Sequence, residues 1–292
     1  MRVLIIGCGY VGLPLGATLV QQGHVVFGLT RSQSRRSALE EAGLQSLVAD
    51  ITDPRKLESL QRDYDWVINC AATSGGGPQE YRAVYFEGTR NLIEWLIPNP
   101  PRKFIYTSST SVYGQNDGSV VDEHSPANPE ADTSKILVAT ENLLIDAWSK
   151  TNFPAVILRV AGIYGPGRGH AFKQFVSGQA VIAGAGNRWL NMIHCDDLVG
   201  VIIAALEKGR PGEIYNAVDD EPVTQRDFFQ WLAASLNKPL PPSVPKPDTS
   251  PRKRGVTNKR ISNQKLKTEL GHPFLYPTFR QGYPTRNEIR AM

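Results

Sequence analysis

The sequence predicts an α/β fold, a doubly wound parallel sheet followed by a smaller C-terminal lobe. Three observations predict it. Short β-branched runs alternate with longer amphipathic stretches through the first 160 residues, which calls for a parallel sheet with helices on both faces. A glycine-rich turn, "GCGYVG" (7–12), separates the first strand from the first helix. After residue 165 the rhythm breaks into glycine-rich and proline-rich segments, with six prolines between Pro239 and Pro251.

In chain order, the strands are "RVLIIG", "HVVFGL", "LQSLVAD", "DWVINCAA", "KFIYTSS" and "AVILRV". Helices are expected at 11–22, 33–42, 54–62, 79–96, 132–149 and near 224–237, with Pro54 suited to a first turn. This gives a sheet domain at 1–165, to which elements from about 190–218 return, and a smaller lobe at 166–292 that is not an independent domain. No internal repeat is visible.

With 292 residues and 41% hydrophobic content, the chain is expected to bury about three quarters of its unfolded surface. The formal net charge of +4 selects no partner class. Cys8, Cys70 and Cys195 are too few and too far apart for a disulfide framework or a zinc site, which suits a reducing compartment. The N-terminal "MRVLIIGCGYVGLPLGATLV" is apolar, but its glycine spacing, Pro14 and single Arg2 do not fit a secretion signal. No later run of 18 apolar residues could span a membrane, so a soluble, cytoplasmic protein is expected.

"GCGYVG" fits G-x-G-x-x-G, the turn of a Rossmann-type dinucleotide site, and Gly7, Gly9, Tyr10, Val11 and Gly12 are its candidate residues. Gly7 permits the tight turn, Gly9 lets a pyrophosphate approach the backbone, and Gly12 lets helix and strand pack closely. An NAD binder usually ends its second strand on an acidic residue that accepts from the ribose 2′-hydroxyl. Here that strand runs into "TRSQSRR", with Thr30, Arg31 and no acid nearby. Arg31, with Arg35 or Arg36, would pair with a 2′-phosphate, which favours NADP over NAD.

With "GCGYVG" joined by "YTSSTSVYG" (106–114), "LRVAGIYGPG" (158–167) and "NMIHCDDL" (191–198), the chain resembles the extended short-chain dehydrogenase/reductase superfamily of epimerases, dehydratases and reductases. "GEIYNAVDDEPVT" (212–224) is similar to a late strand and turn of that family, so the resemblance covers nearly the whole chain. It implies that Asp50 and Ile51 meet the adenine and that Ala71 and Ala72 line the dinucleotide. It also implies that Ser109 polarises the substrate oxygen and that Lys135 holds the nicotinamide ribose.

The family's proton-transferring tyrosine lies four residues before its lysine, and there this chain has Ala131. Acid–base catalysis contributes about 10² to 10⁴ in rate, so a substitute is needed for ordinary reductase turnover. Tyr113 is the first choice because the resemblance puts "VYG" near Ser109; Tyr164, Asp132 and a bound water are others. Tyr85 replaces the asparagine of the family's Asn-Val-x-Gly-Thr pattern. Leu190 stands where nucleotide-sugar enzymes usually carry an arginine, with Arg188 two residues earlier. These departures resemble the atypical, epimerase-like subgroup, in which a shared fold does not guarantee a shared reaction.

His194, Asp196 and Asp197 read as a helix entry with capping aspartates rather than a metal site, and no metal is expected. "GPGRGH" (165–170) reads as a flexible loop beside the substrate pocket. Arg168 from that loop, Arg188 and Asn191 are the candidate substrate contacts. Residues 249–268 hold seven basic residues and no acidic one, but lack interleaved aromatics, which weighs against nucleic acid. Three readings follow: an NADP-dependent oxidoreductase or epimerase on a small carbonyl or hydroxyl compound, a non-catalytic NADP(H) sensor, and a nucleic-acid binder on a retired enzyme fold. The resemblance further implies that a homodimer would form through the helices at 79–96 and 131–149.

Overall fold

The computed structural model describes residues 1–73, 75–245 and 257–283. Six strands of the main sheet fall in the first 160 residues: β1 (Arg2–Ile6), β2 (Val25–Thr30), β3 (Gln45–Val48), β4 (Trp66–Asn69), β5 (Lys103–Ser109) and β6 (Ala155–Val160). A seventh, β7 (Ile214–Ala217), joins them late. They lie side by side in the order β7-β6-β5-β4-β1-β2-β3, every neighbouring pair parallel. The chain therefore winds outward from β1 to β3 and resumes on the other side at β4. At that reversal the connections leave in opposite directions and open a crevice above the carboxyl ends of β1 and β4.

Alternation along each strand builds the two faces. Leu4, Ile6, Val67, Phe104 and Tyr106 point to one side, and Val3, Ile5, Ile68 and Ile105 to the other. The second side is covered by α1 (Gly12–Gln21), α2 (Arg36–Glu41) and a later helix, Cys195–Lys208. Beside β3, α3 (Pro54–Glu58) starts on Pro54, with Asp53 Oδ1 accepting from the Arg55 amide at 3.2 Å, and ends sooner than its sequence suggests.

The first side is covered by α4 (Gly88–Leu96) and α5 (Asp132–Thr151). The helix expected at 79–96 is continuous but irregular: Pro78–Tyr81 is α-helical, Arg82–Glu87 is a π-helix, and α4 follows. Such wide turns rotate side chains out of the regular helical sequence and often occur at functional sites.

The later helices are α6 (His170–Val176), the Cys195–Lys208 helix, here α7, then α8 (Gln225–Leu236), α9 (Gln264–Glu269) and α10 (Phe279–Gly282), with short strands between them. α7 and α9 bury their apolar residues on the second side of the sheet, and α6, α8 and α10 form a second lobe. Phe175, Ile182, Phe228, Phe229, Phe279 and Tyr283 make its core. Met192–His194 runs parallel to Gly162–Tyr164, and Arg260–Ile261 runs parallel to Val120–Val121. The second pairing lays the late basic stretch against the loop that leaves β5. No described helix is long and apolar enough to cross a membrane.

Candidate active site

A cleft of about 1190 Å³ lies over the switch point. The glycine turn forms its floor. Gly7 has φ +88°, and a Cβ on it would sit 2.6 Å from the Ala71 amide nitrogen. A Cβ on Gly12 would meet the Gly7 carbonyl at 2.4 Å, whereas one on Gly9 would meet nothing within 4 Å. Two glycines thus allow backbone contact, and the third leaves open cleft over the backbone, the space a pyrophosphate needs. The residues present fit a dinucleotide on this ground.

Gly7, Gly9, Tyr10, Val11 and Gly12 line the cleft, as do Thr30 and Arg31 at the end of β2. Arg35 lines it too, its Nη2 donating to the Cys8 carbonyl at 3.0 Å. Arg36 instead pairs with Glu40 at 3.6 Å and donates to Ser46. Among the described residues no carboxylate stands at the end of β2. Asp50 and Ile51 line the cleft, with Asp50 Oδ1 accepting from the Thr52 amide at 2.9 Å. Ala71 and Ala72 line it at the end of β4, where Asn69 Oδ1 accepts from the Ala71 amide at 3.1 Å.

Ser109, the last residue of β5, lines this cleft and also a second cavity of about 400 Å³. Its hydroxyl oxygen accepts from the Ser111 amide at 3.2 Å. Val160, Ala161, Gly162 and His170 also border both spaces, so the two adjoin.

The structure does not bring Lys135 to the cleft. Its side chain is 59% exposed, with Nζ 3.1 Å from Asp132 Oδ1. The buried stripe of α5 is Thr133, Ser134, Leu137, Thr140, Glu141 and Leu144. Leu137 lines the cleft, and at 100° per residue Lys135 is turned about 200° away from it. Ala131 is not inside the helix either; it is the N-cap, with extended backbone, its carbonyl accepting from the Lys135 amide at 3.0 Å. The expected Ala131–Lys135 face is therefore replaced by a Thr133–Leu137 face.

Tyr113 lines neither space. It is fully buried, its hydroxyl donates to Asn216 Oδ1 at 2.8 Å, and the Arg159 guanidinium lies 4.7 Å over its ring. Burial pushes its phenol up to about 12. A tyrosine missed by sequence reasoning does line the cleft: Tyr85, 4% exposed, from the π-helical turn. Its departure from the family's asparagine was the available signal.

Arg168 lines the cleft with its guanidinium 4.8 Å over the Tyr10 ring, while the Tyr10 hydroxyl donates to the Pro166 carbonyl at 3.1 Å. Arg188 and Asn191 line the second cavity. Asn191 has another task, donating to the Lys259 carbonyl at 2.9 Å and accepting from the Ile261 amide at 2.9 Å.

His194, rather than an aspartate, caps α7, its Nδ1 accepting from the Asp196 amide at 3.2 Å. Burial holds its imidazole below the usual range, and its ring packs 3.9 Å from that of Tyr276. Asp197 is fully buried and accepts from the amides of Leu275 at 2.6 Å and Tyr276 at 2.9 Å, fastening the chain before α10. Burial pushes the thiols of Cys8 and Cys70 up to about 12 and that of Cys195 to about 11, leaving them poor nucleophiles. Among the described residues no group of three metal-ligating side chains gathers.

Residues 249–256 of the basic run lie outside the described residues. In the remainder, Arg260 packs 5.2 Å over Trp189, Lys265 pairs with Glu213 at 2.6 Å, and Lys267 pairs with Asp220 at 2.9 Å. These charges are engaged within the protein rather than arrayed for phosphates.

Residues 3–217 match the NAD dependent epimerase/dehydratase family. The chain is 29% identical to Protein YeeZ of Escherichia coli strain K12, over 94% of this chain and 96% of that one. It is 26% identical to the 3-diazoavenalumate denitrifying reductase of a Streptomyces species, over 97% of this chain and 99% of that one. The fold is similar to that of DesIV, a dTDP-glucose 4,6-dehydratase from Streptomyces venezuelae solved with NAD and TYD bound. That likeness has a TM-score of 0.84 at 22% identity, over 99% of this chain and 96% of the other.

Proposed function

Because the chain belongs to the NAD-dependent epimerase/dehydratase family, we propose that it is an NADP-dependent oxidoreductase or epimerase of small carbonyl or hydroxyl compounds, with a non-standard proton donor. The observation that carries this reading is that Ser109 borders both the cleft of the glycine turn and Arg31 and the second cavity. A cofactor in the first and a small substrate in the second would meet beside the residues that border both.

When bound, the dinucleotide supplies or accepts the hydride. The glycine turn and the N-terminus of α1 receive its pyrophosphate, and Arg31 and Arg35 receive the 2′-phosphate. Ser109 hydrogen-bonds the substrate oxygen. Leu137, in the wall of the larger cleft, keeps water from the reacting carbon. Tyr85 gives the proton to that oxygen on reduction and takes it back on oxidation. It is a phenol on the neighbouring helix, standing in for the one absent from α5. The second cavity is at the small end of ligand pockets, about 300–1,000 Å³, and has Leu190 where nucleotide-sugar enzymes usually have an arginine, so a compact substrate is favoured over a nucleotide sugar.

Calorimetric titration with NADP⁺, NADPH, NAD⁺ and NADH tests the cofactor half, and NADPH oxidation across a set of small carbonyl compounds tests the chemistry. Micromolar NADP(H) binding with turnover is expected. NADP(H) binding without turnover of any carbonyl would leave a sensor, and no dinucleotide binding would remove both readings.

A further inference from the structure

We propose that Lys259 is the anion receptor of the second cavity, so that the compound handled there carries a compact oxoanionic group, a carboxylate or a phosphate. This deepens the reading above and rests on it, since it takes the second cavity as the substrate's place.

Lys259 is only 4% exposed, yet it lines that cavity together with Ser109, His170, Arg188 and Asn191. Its Nζ donates to the Tyr113 carbonyl at 2.8 Å and to Thr257 Oγ1 at 2.6 Å. Both partners are neutral. An ammonium has three N–H donors, so one remains without a partner among the described residues. Among the described residues no carboxylate forms an ion pair with it, and burial alone holds the ammonium well below the usual lysine range, at about 8. Burying a cation beside neutral groups is strongly unfavourable unless a counter-charge is supplied, and the cavity is where one can arrive.

The surrounding backbone fixes the ammonium in place. Asn258 Oδ1 accepts from the Trp189 amide at 2.9 Å, and Asn191 bonds the backbone of Lys259 and Ile261, so residues 258–261 are laced to 189–191. A receptor held this way loses little freedom when an anion binds. Ser109, on the same cavity, would hold the reacting oxygen while Lys259 holds the anion. The substrate class is thus a small oxo or hydroxy acid, or its phosphorylated counterpart.

The test is titration of the full chain, with and without saturating NADP⁺, using acetoacetate, its neutral methyl ester and 2-oxopropylphosphonate. One of the two anions is expected to bind about tenfold or more tightly than the ester. Which of them binds better identifies the anion as carboxylate or phosphate. Lys259→Met should abolish the preference, and Lys259→Arg should keep part of it. The acid–ester comparison needs no variant, so it stands even if one fails to fold. Acid, phosphonate and ester behaving alike, including none binding, overturns the proposal, as does a preference that survives in Lys259→Met. NADP⁺ titrated into the same protein separates the outcomes: its failure to bind removes the cofactor reading, whereas binding without anion preference removes only this inference.

Discussion

Arg159 and Glu141 form a buried ion pair directly behind the candidate site: Arg159 Nη2 donates to Glu141 Oε2 at 2.8 Å, with the two side chains 5% and 2% exposed. Ser108, next to Ser109, donates to the same carboxylate at 2.5 Å, and the Arg159 guanidinium also covers Tyr113. Removing one partner leaves the other charge buried and unpaired. Glu141→Ala is expected to lower stability by about 3–5 kcal/mol, read as a fall in the urea midpoint. An unchanged midpoint would mean that Arg159 finds another partner or water.

Arg31 and Arg35 line the cleft beyond the end of β2, and Asp50 is the acid among the residues lining it. Arg31→Ala is expected to weaken NADP⁺ binding by about ten- to a hundredfold, the range of a charge-assisted hydrogen bond, and to leave NAD⁺ binding nearly unchanged. Calorimetry with both dinucleotides checks this. Equal losses for the two would place Arg31 on the shared pyrophosphate instead.

Tyr85 and Lys135 give opposite expectations. With a substrate in hand, Tyr85→Phe should cut kcat by about 10² to 10⁴ while NADP⁺ affinity holds. Lys135→Ala removes an exposed pair with Asp132, so NADP⁺ affinity should change by less than about fivefold, within the 0–1 kcal/mol span of such pairs. Steady-state kinetics and titration on the two variants decide whether the chemistry resides on the π-helical turn or on α5.

Asp219 predicts a pH dependence. Its carboxyl is buried, Oδ2 has no hydrogen-bond partner among the described residues, and burial pushes its pKa up to about 8. A carboxyl that holds its proton more tightly when folded contributes stability that is complete below the unfolded value near 4 and is lost as pH rises toward 8. Asp219→Asn, which keeps the shape of the protonated group, should flatten that decline and be more stable than the parent at pH 8 and above. Urea titrations at pH 5 and pH 8.5 measure the difference.

What the sequence reveals is what local chemistry determines. The glycine turn, Thr30 and Arg31 belong to short segments whose residues alone point to the site, Asp50, Ile51, Ala71, Ala72 and Ser109 were implied by the family resemblance, and all line the cleft. The face of α5 was not legible in this way. The helix start at residue 132 was legible, but Lys135 suggested a register two residues away from the buried stripe. The π-helical turn that carries Tyr85 has no sequence signature of its own. Lys259 reads as one more charge in a basic run, because its burial depends on Tyr113, 146 residues earlier.

The late arrival of β7 bears on how the protein is made. Until Ile214–Ala217 has been synthesised, β6 is an open sheet edge, and all six of its side chains are buried in the finished molecule. At elongation rates of about 5–20 residues per second, the ribosome needs roughly 3–11 s to travel from residue 160 to residue 217. For that interval the nascent chain carries an unpaired apolar edge of the kind that invites pairing with a neighbouring chain. The lobe that intervenes is therefore a delay in synthesis as well as a wall of the cavity, and faster translation of residues 161–217 should raise the soluble yield.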